Sequence, residues 1–388
     1  DRLVPDRPTY LDRICGHVSA LNTAALERVG VRRGTRAHRG GRIGRGRDGE
    51  PNGLLVDGEV GRTNTLRRAA FRSRPAATRR LLKAWSDLGT TTVGAMYVDA
   101  EEFSELGQLS RARALPVGIR AYLRLEQYAR RAPPTSGPDV HFAGVKAILD
   151  GSLGSRTAWL EQAYSDDPGE RGHSLWAPAK LLGALRPAAD AGHPIALHAI
   201  GDRALAEAIR TLEALGSPES SRIEHASVSP PAQLRRIART GATVVIQPGF
   251  RTSDRWRTAR LGVRRGRWTH AFARLAAAGI PLAGSSDAPV ERADPWSGMR
   301  SASGRVSPGP DPHRLTPAQA LGAYTVGGAR ALADPTLGSL VPGSPADLLV
   351  LAGSSPWEGI RAGRSPVLST WRSGRRVAVL GAVPARSG

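Results

Sequence analysis

Pro194-Ile195-Ala196-Leu197-His198-Ala199-Ile200, running straight into Gly201-Asp202-Arg203, is the stretch on which the fold turns. The run is apolar on both alternating sets of positions and too short for a buried helix. It therefore reads as a strand covered on both faces, as in a parallel sheet. The residues that follow, Asp202 to Leu215, carry apolar side chains at helical spacing and stop before Gly216, a C-cap residue.

The same unit recurs along the chain. Strand runs are expected at Thr90 to Val98, Pro116 to Leu123, Val140 to Leu149, Pro194 to Ile200, Arg222 to Ala226, Ala242 to Gln247 and Ile280 to Ser285. Helical patterns fall between them at Glu101 to Ala114, Ala179 to Ala191, Asp202 to Leu215, Pro230 to Thr240 and Trp268 to Ala278, with a last one at Pro317 to Leu332. Alternation of this kind predicts an α/β fold, a (β/α)8 barrel of the TIM type. Seven runs fall one short of closure, and residues 1 to 65 offer none that would complete it, so the barrel is expected to lack its first strand. After residue 335 the text changes. A turn at Gly338 to Gly343, a short strand at Asp347 to Leu351 and a strand pair at Ser369 to Leu380, turning at Ser373-Gly374, predict a small β-domain. The expected organisation is an N-terminal insert or lid at 1–65, the barrel at 66–335 and a partial β-sandwich at 336–388.

In a β/α barrel, chemistry sits at the carboxyl ends of the strands. Four such ends carry groups able to hold a metal: Lys146 inside Val145-Lys146-Ala147-Ile148-Leu149, His198, His225 in Arg222-Ile223-Glu224-His225-Ala226, and Asp287 in Ser285-Ser286-Asp287. Each also has a structural reading: a salt-bridged core lysine, satisfied core histidines and a helix N-cap aspartate. Two histidines on consecutive strands after a buried lysine favour the chemical one.

Longer phrases sharpen this. They are "GHVSALNTAAL" at 16–26, "DGSLGSRTAWL" at 150–160, "HAIGDRAL" at 198–205, "RIEHASV" at 222–228, "SSDAPVERADPWSGM" at 285–299 and "GSLVPGSPADLLVL" at 338–351. With them the chain resembles the YtcJ-like amidohydrolases of the amidohydrolase-3 family, which includes N-substituted formamide deformylases. The resemblance implies a metal-dependent hydrolase acting on carbon–nitrogen bonds other than peptide bonds, with a small-molecule amide as substrate. It implies a divalent metal, zinc first among candidates, as one or two ions. Lys146 would be carboxylated and bridge metals, His198 and His225 would be ligands, and Asp287 would be both ligand and catalytic proton acceptor. Arg156, His17 and Asn22 correspond to polar pocket positions and are candidate substrate contacts, with loop packing as their plain alternative. Asp202 and Arg203 are expected to form a structural pair behind His198.

The chain departs from the family in three ways. No two of its histidines stand two residues apart, so the His-x-His pair of the first strand is absent and an N-terminal truncation is expected. Cys15 stands where relatives carry an acidic residue, and the segment Arg32 to Arg47 is unusually basic. A deaminase of the same superfamily and an inactive remnant are the rival readings. The net charge of +21 first suggests nucleic acid, but it is nearly all arginine spread along the chain, with lysine only at 83, 146 and 180. The dense run at 32–47 lacks interleaved aromatics to stack bases and reads as a solvated loop, so no nucleic-acid partner is expected. One cysteine excludes an internal disulfide and fits a reducing compartment. No apolar run is long enough to span a bilayer, so neither a membrane partner nor an address other than the cytoplasm is expected. Oligomeric state stays open, with a homodimer the form to test first.

Overall fold

The computed structural model describes residues 1–38, 40–70, 74–112, 114–128, 137–216, 220–304 and 313–379. The N-terminal segment forms a four-stranded antiparallel sheet of β1 (Tyr10–Asp12), β2 (Val18–Leu21), β3 (Gly41–Arg45) and β4 (Pro51–Asp57), ordered β1-β2-β4-β3. This corrects the expectation of a solvated arginine-rich loop, since Gly41–Arg45 lies inside that run. Ile43 and Leu55 turn inward from β3 and β4 to pack with Leu21, Leu26 and Val31, while Arg42 is exposed and Arg45 bonds Gly49 O and Thr35 O.

All seven expected barrel runs are strands: β5 (Thr92–Val98), β6 (Gly118–Arg124), β7 (Val140–Ile148), β8 (Ile195–Ala199), β9 (Arg222–His225), β10 (Thr243–Ile246) and β11 (Leu282–Gly284). Each pairs with its neighbour in parallel, giving one sheet in chain order from β5 to β11. Among the described residues, β5 and β11 do not pair with each other. The core lies between this sheet and its helices, centred on Leu181, Leu185, Leu197, Leu205, Ile209 and Ile223, all fully buried. Burial on both sides of β8, where all five residues are buried, is what made its run uniformly apolar.

Two helices differ from expectation. The one expected at Trp268 begins at Phe272, because Thr269 bridges Val228 and His270 takes a φ of +52°. The last pattern breaks at Thr325 into Pro317–Tyr324 and Val326–Ala331, where the backbone leaves the helical region. At the C-terminal end β12 (Leu348–Leu351), β13 (Val367–Arg372) and β14 (Arg375–Val379) form a three-stranded antiparallel sheet; Leu380 lies outside the described residues. This sheet is tied to the barrel by Thr370 Oγ1, which donates to Ser86 O at 2.6 Å, and by Arg372, which bonds Leu115 O and Asp139.

Candidate active site

Strand register brings the predicted residues together. β7, β8 and β9 lie side by side with Ile148 opposite His198, His198 opposite Glu224, and Ala199 opposite His225. Lys146, His198 and His225 are 4%, 6% and 6% exposed, and all three line one cavity of about 1950 Å³ together with His17, Asp57, Glu224, Gln247 and Asp287. The two strand-end rings stand 4.4 Å apart, centre to centre, and His17 is 5.6 Å from His198. Asp287 has accessible surface, but it faces this cavity. It is no helix cap: the next helix is capped by Asp294, whose Oδ1 accepts from Trp296 N and Ser297 N. His225 and Asp287 both take positive φ, at +73° and +53°, a strained conformation for non-glycine residues that clusters at functional sites.

The hydrogen bonds fix the ring tautomers. His225 Nδ1 lies 2.8 Å from Gln247 Oε1; since Gln247 Nε2 already donates to Val245 O and Ser285 Oγ, the ring must donate from Nδ1 and leave Nε2 free. His198 Nε2 lies 3.2 Å from Gly151 O, an acceptor only, so its free nitrogen is Nδ1. Asp150 stands behind that bond, 3.4 Å from the same Nε2, while its carboxylate accepts from Ile200 N, Gly201 N and Trp159 N. Burial pushes the Asp150 carboxyl up to about 7 against those three donors.

Burial works against the charged form of each of these groups. Burial drives both imidazoles well below the ordinary histidine value, helped by His17 and Lys146 at His198 and by His198 and Lys146 at His225. Burial likewise pushes the Lys146 amine down, opposed by Glu224 and Asp287 and aided by Arg222; it pushes Asp287 up, opposed by Lys146. Beneath them Arg222 clasps Glu224 at 2.5 and 3.2 Å, donates to Ala331 O and lies over Tyr122. Burial alone would raise Glu224, but Arg222 and Lys146 outweigh it and hold it at about 2. Lys146 itself forms no ion pair among the described residues, so the salt-bridged core lysine is not what the structure holds.

These groups fit a divalent cation in chemistry: two neutral imidazoles, each with one nitrogen fixed on an acceptor and the other free, beside an amine pushed toward neutrality and a carboxylate. Among the described residues no three His, Cys, Asp or Glu side chains are grouped so as to hold an ion.

Two candidate substrate contacts are not brought to the site. Asn22 caps the helix Thr23–Arg28 through Ala25 N and also bonds Thr9 N, Val4 O and Arg7 O; Arg156 pairs with Asp166. Neither lines the cavity. The side chains of Asp202 and Arg203 do not pair: Asp202 accepts from Glu161 N and from Arg203 N, and the Arg203 guanidinium lies over Trp159. Sequence reasoning missed Asp57, Asp150, Glu224 and Gln247. Gln247 ends an apolar strand run and could have been found by the rule that found His198; Asp57 lay in a segment with no strand reading.

An amidohydrolase family model matches residues 1–378. The chain belongs to the amidohydrolase family. It is 34% identical over 377 residues to the amidohydrolase YtcJ of Bacillus subtilis (strain 168), covering 91% of this chain and 70% of that one. To the N-substituted formamide deformylase of Arthrobacter pascens it is 22% identical over 273 residues, 64% of this chain and 49% of that one. Among solved structures it is similar to an uncharacterized metal-dependent hydrolase from Pyrococcus furiosus, with TM-score 0.71 and 28% identity, covering 89% of this chain and 72% of that one. The curled parallel sheet with its helices is thus the TIM-like α/β fold of this family, and the chain is a hydrolase of the amidohydrolase type.

Proposed function

We propose that the chain hydrolyses a carbon–nitrogen bond other than a peptide bond in a small amide, N-substituted formamides being the first class to try. Lys146, His198, His225 and Asp287 would hold the divalent metal, zinc in the first instance. The observation that carries this reading is the meeting of those four side chains in one cavity, with His198 and His225 each left one free nitrogen. A bound ion would supply Lewis acidity to water and to the amide carbonyl. Asp287, raised by burial, is placed to take the proton that water loses. Gln247 and Gly151 keep the two rings from turning. The depressed Lys146 amine favours the neutral form that carboxylation by carbon dioxide requires.

The test is the metal content of the purified chain beside Lys146→Ala, together with turnover of N-benzylformamide by the zinc-loaded chain. At least one ion per chain, lost in the variant, with release of benzylamine supports the reading; metal unchanged in the variant, or no turnover with metal bound, sinks it. A carbamate carbon signal from labelled carbon dioxide separates it from the deaminase alternative, which uses no carboxylated lysine.

A further inference from the structure

The metal set draws on β7, β8, β9 and the end of β11, and leaves the ends of β5 and β6 without a task. β6 ends in Arg124, which stands opposite Lys146 of β7 in the parallel register, as Leu123 stands opposite Val145. Neighbouring strands lie about 4.8 Å apart, and successive side chains alternate between faces. Leu123 packs outward with Val117 and Ile119, so Arg124 shares the inward face of Lys146 and lines the same cavity. The guanidinium is held from behind. Its Nε donates to Tyr97 O at 2.8 Å, and it lies 4.7 Å from the centre of the Tyr97 ring, where the tyrosine takes a φ of +62°. A bulky residue rarely adopts that conformation, and here it brings ring and carbonyl to one guanidinium. Both Nη atoms stay open. Among the described residues they form no hydrogen bond, and Glu102 Oε2, 3.9 Å from Nη2, already accepts from Asp99 N at 2.9 Å. Glu126 serves the Tyr97 hydroxyl, at 3.4 Å. Arg222, the other arginine that a barrel strand brings to the cavity, is by contrast closed by Glu224 and Ala331 O.

A guanidinium with one N–H spent and a planar pair left suits a carboxylate, because its charge is permanent and its fork matches two oxygens. A neutral amide leaves that fork unmatched. We propose that Arg124, braced by Tyr97, binds a carboxylate on the substrate, so that the preferred substrates are amides carrying an acid group close to the scissile bond. This rests on the amide reading above for the rest of the substrate, and it says which amides the site prefers. Arg124 acts in binding and moves no proton. The Glu102 side chain is 45% exposed, so its long ion pair with Arg124 is screened by solvent and is the contact that an incoming carboxylate displaces.

Titration calorimetry compares each enantiomer of N-formylphenylalanine with N-(2-phenylethyl)formamide, the same molecule with hydrogen in place of the carboxylate. The full chain is freed of metal, so that neither turnover nor an ion accounts for a difference. The better enantiomer is expected to bind about 10–100-fold more tightly than the uncharged formamide, the worth of a hydrogen bond to a charged group. Arg124→Met is expected to abolish that ratio, and Arg203→Ala, which removes a positive charge outside the cavity, to keep it. Wild type gives a second reading should Arg124→Met fold poorly. N-formylphenylalanine should shield Arg124 from phenylglyoxal, followed by peptide mass spectrometry, and the uncharged formamide should not. The inference is overturned by equal affinities in wild type, by binding of neither probe, by a ratio that survives in Arg124→Met or falls as far in Arg203→Ala, or by modification of Arg124 that N-formylphenylalanine does not slow. Acid preference without turnover by the zinc-loaded chain sinks the hydrolase reading alone, and turnover without acid preference sinks this one alone.

Discussion

Gln247 fixes the His225 ring: its Oε1 holds Nδ1 at 2.8 Å, and its own Nε2 is locked by Val245 O and Ser285 Oγ. Outer partners of this kind set the orientation and basicity of a ligating ring. Gln247→Leu keeps the volume roughly and removes the acceptor. Metal affinity, measured by competition with a chelator, is expected to fall about 10–100-fold. An unchanged affinity would take His225 out of the ligand set. The same reasoning applies to Gly201, which packs behind His198. A Cβ there would stand 2.0 Å from Trp159 O, so Gly201→Ala must push the 150–176 loop outward and with it the Gly151 carbonyl on His198 Nε2. Weaker metal binding with unchanged circular dichroism is the expected result; full affinity would show that the loop yields without disturbing the ring.

At the scale of elements, the joint between the C-terminal sheet and the barrel includes an ion pair. Arg372 Nη1 lies 2.6 Å from Asp139 Oδ1, while Asp139 Oδ2 accepts from Leu115 N and Ser110 Oγ. Burial works against the charged carboxylate, but Arg372 and the two other donors outweigh it and hold Asp139 below its usual range. A carboxyl lowered in the folded state stabilises above its unfolded value of about 3.9, and loses that contribution as pH falls through the lower folded value. Arg372→Met should therefore cost about 1–3 kcal/mol near neutral pH, and the gap to wild type should close as pH falls through the lowered Asp139 value. Denaturant titrations near neutral pH and in acid check it; a gap that persists in acid would assign the loss to packing.

Legibility in the sequence followed the same division by physical cause. Strands buried on both faces spell continuous apolar runs, so β5 to β11 and their terminal His198 and His225 could be read directly. The N-terminal sheet could not, because its strands are short and broken by polar or glycine positions, as in Gly41–Arg45, where Ile43 is the one buried residue. Long-range partners also left little trace. Asp57 meets His17 forty residues away and Thr157 a hundred away, and nothing local marks such a pairing.

For the whole molecule, the cavity concentrates what folding ordinarily avoids. Lys146, Arg222, Glu224, His198 and His225 are all nearly buried in one sheet interior, and burial disfavours the charged form of each ionisable group. Arg222 and Glu224 satisfy one another, but Lys146 forms no ion pair among the described residues, and Glu224 and Asp287 only partly offset the effect of its burial. A ligand that binds only the folded state stabilises it by RT ln(1 + [L]/Kd), about 2.7 kcal/mol at a hundredfold excess over Kd. Zinc should therefore raise the denaturation midpoint in proportion to the logarithm of its free concentration. Lys146→Met is expected to do two things at once. It should remove the zinc dependence and also raise the stability of the metal-free chain, since a thioether suits that site better than a buried amine. Arg203→Ala, outside the cavity, should leave the zinc dependence intact. A metal-free Lys146→Met chain weaker than wild type would mean that Glu224 and Asp287 compensate the amine fully, and that Lys146 contributes to the fold as well as to the site.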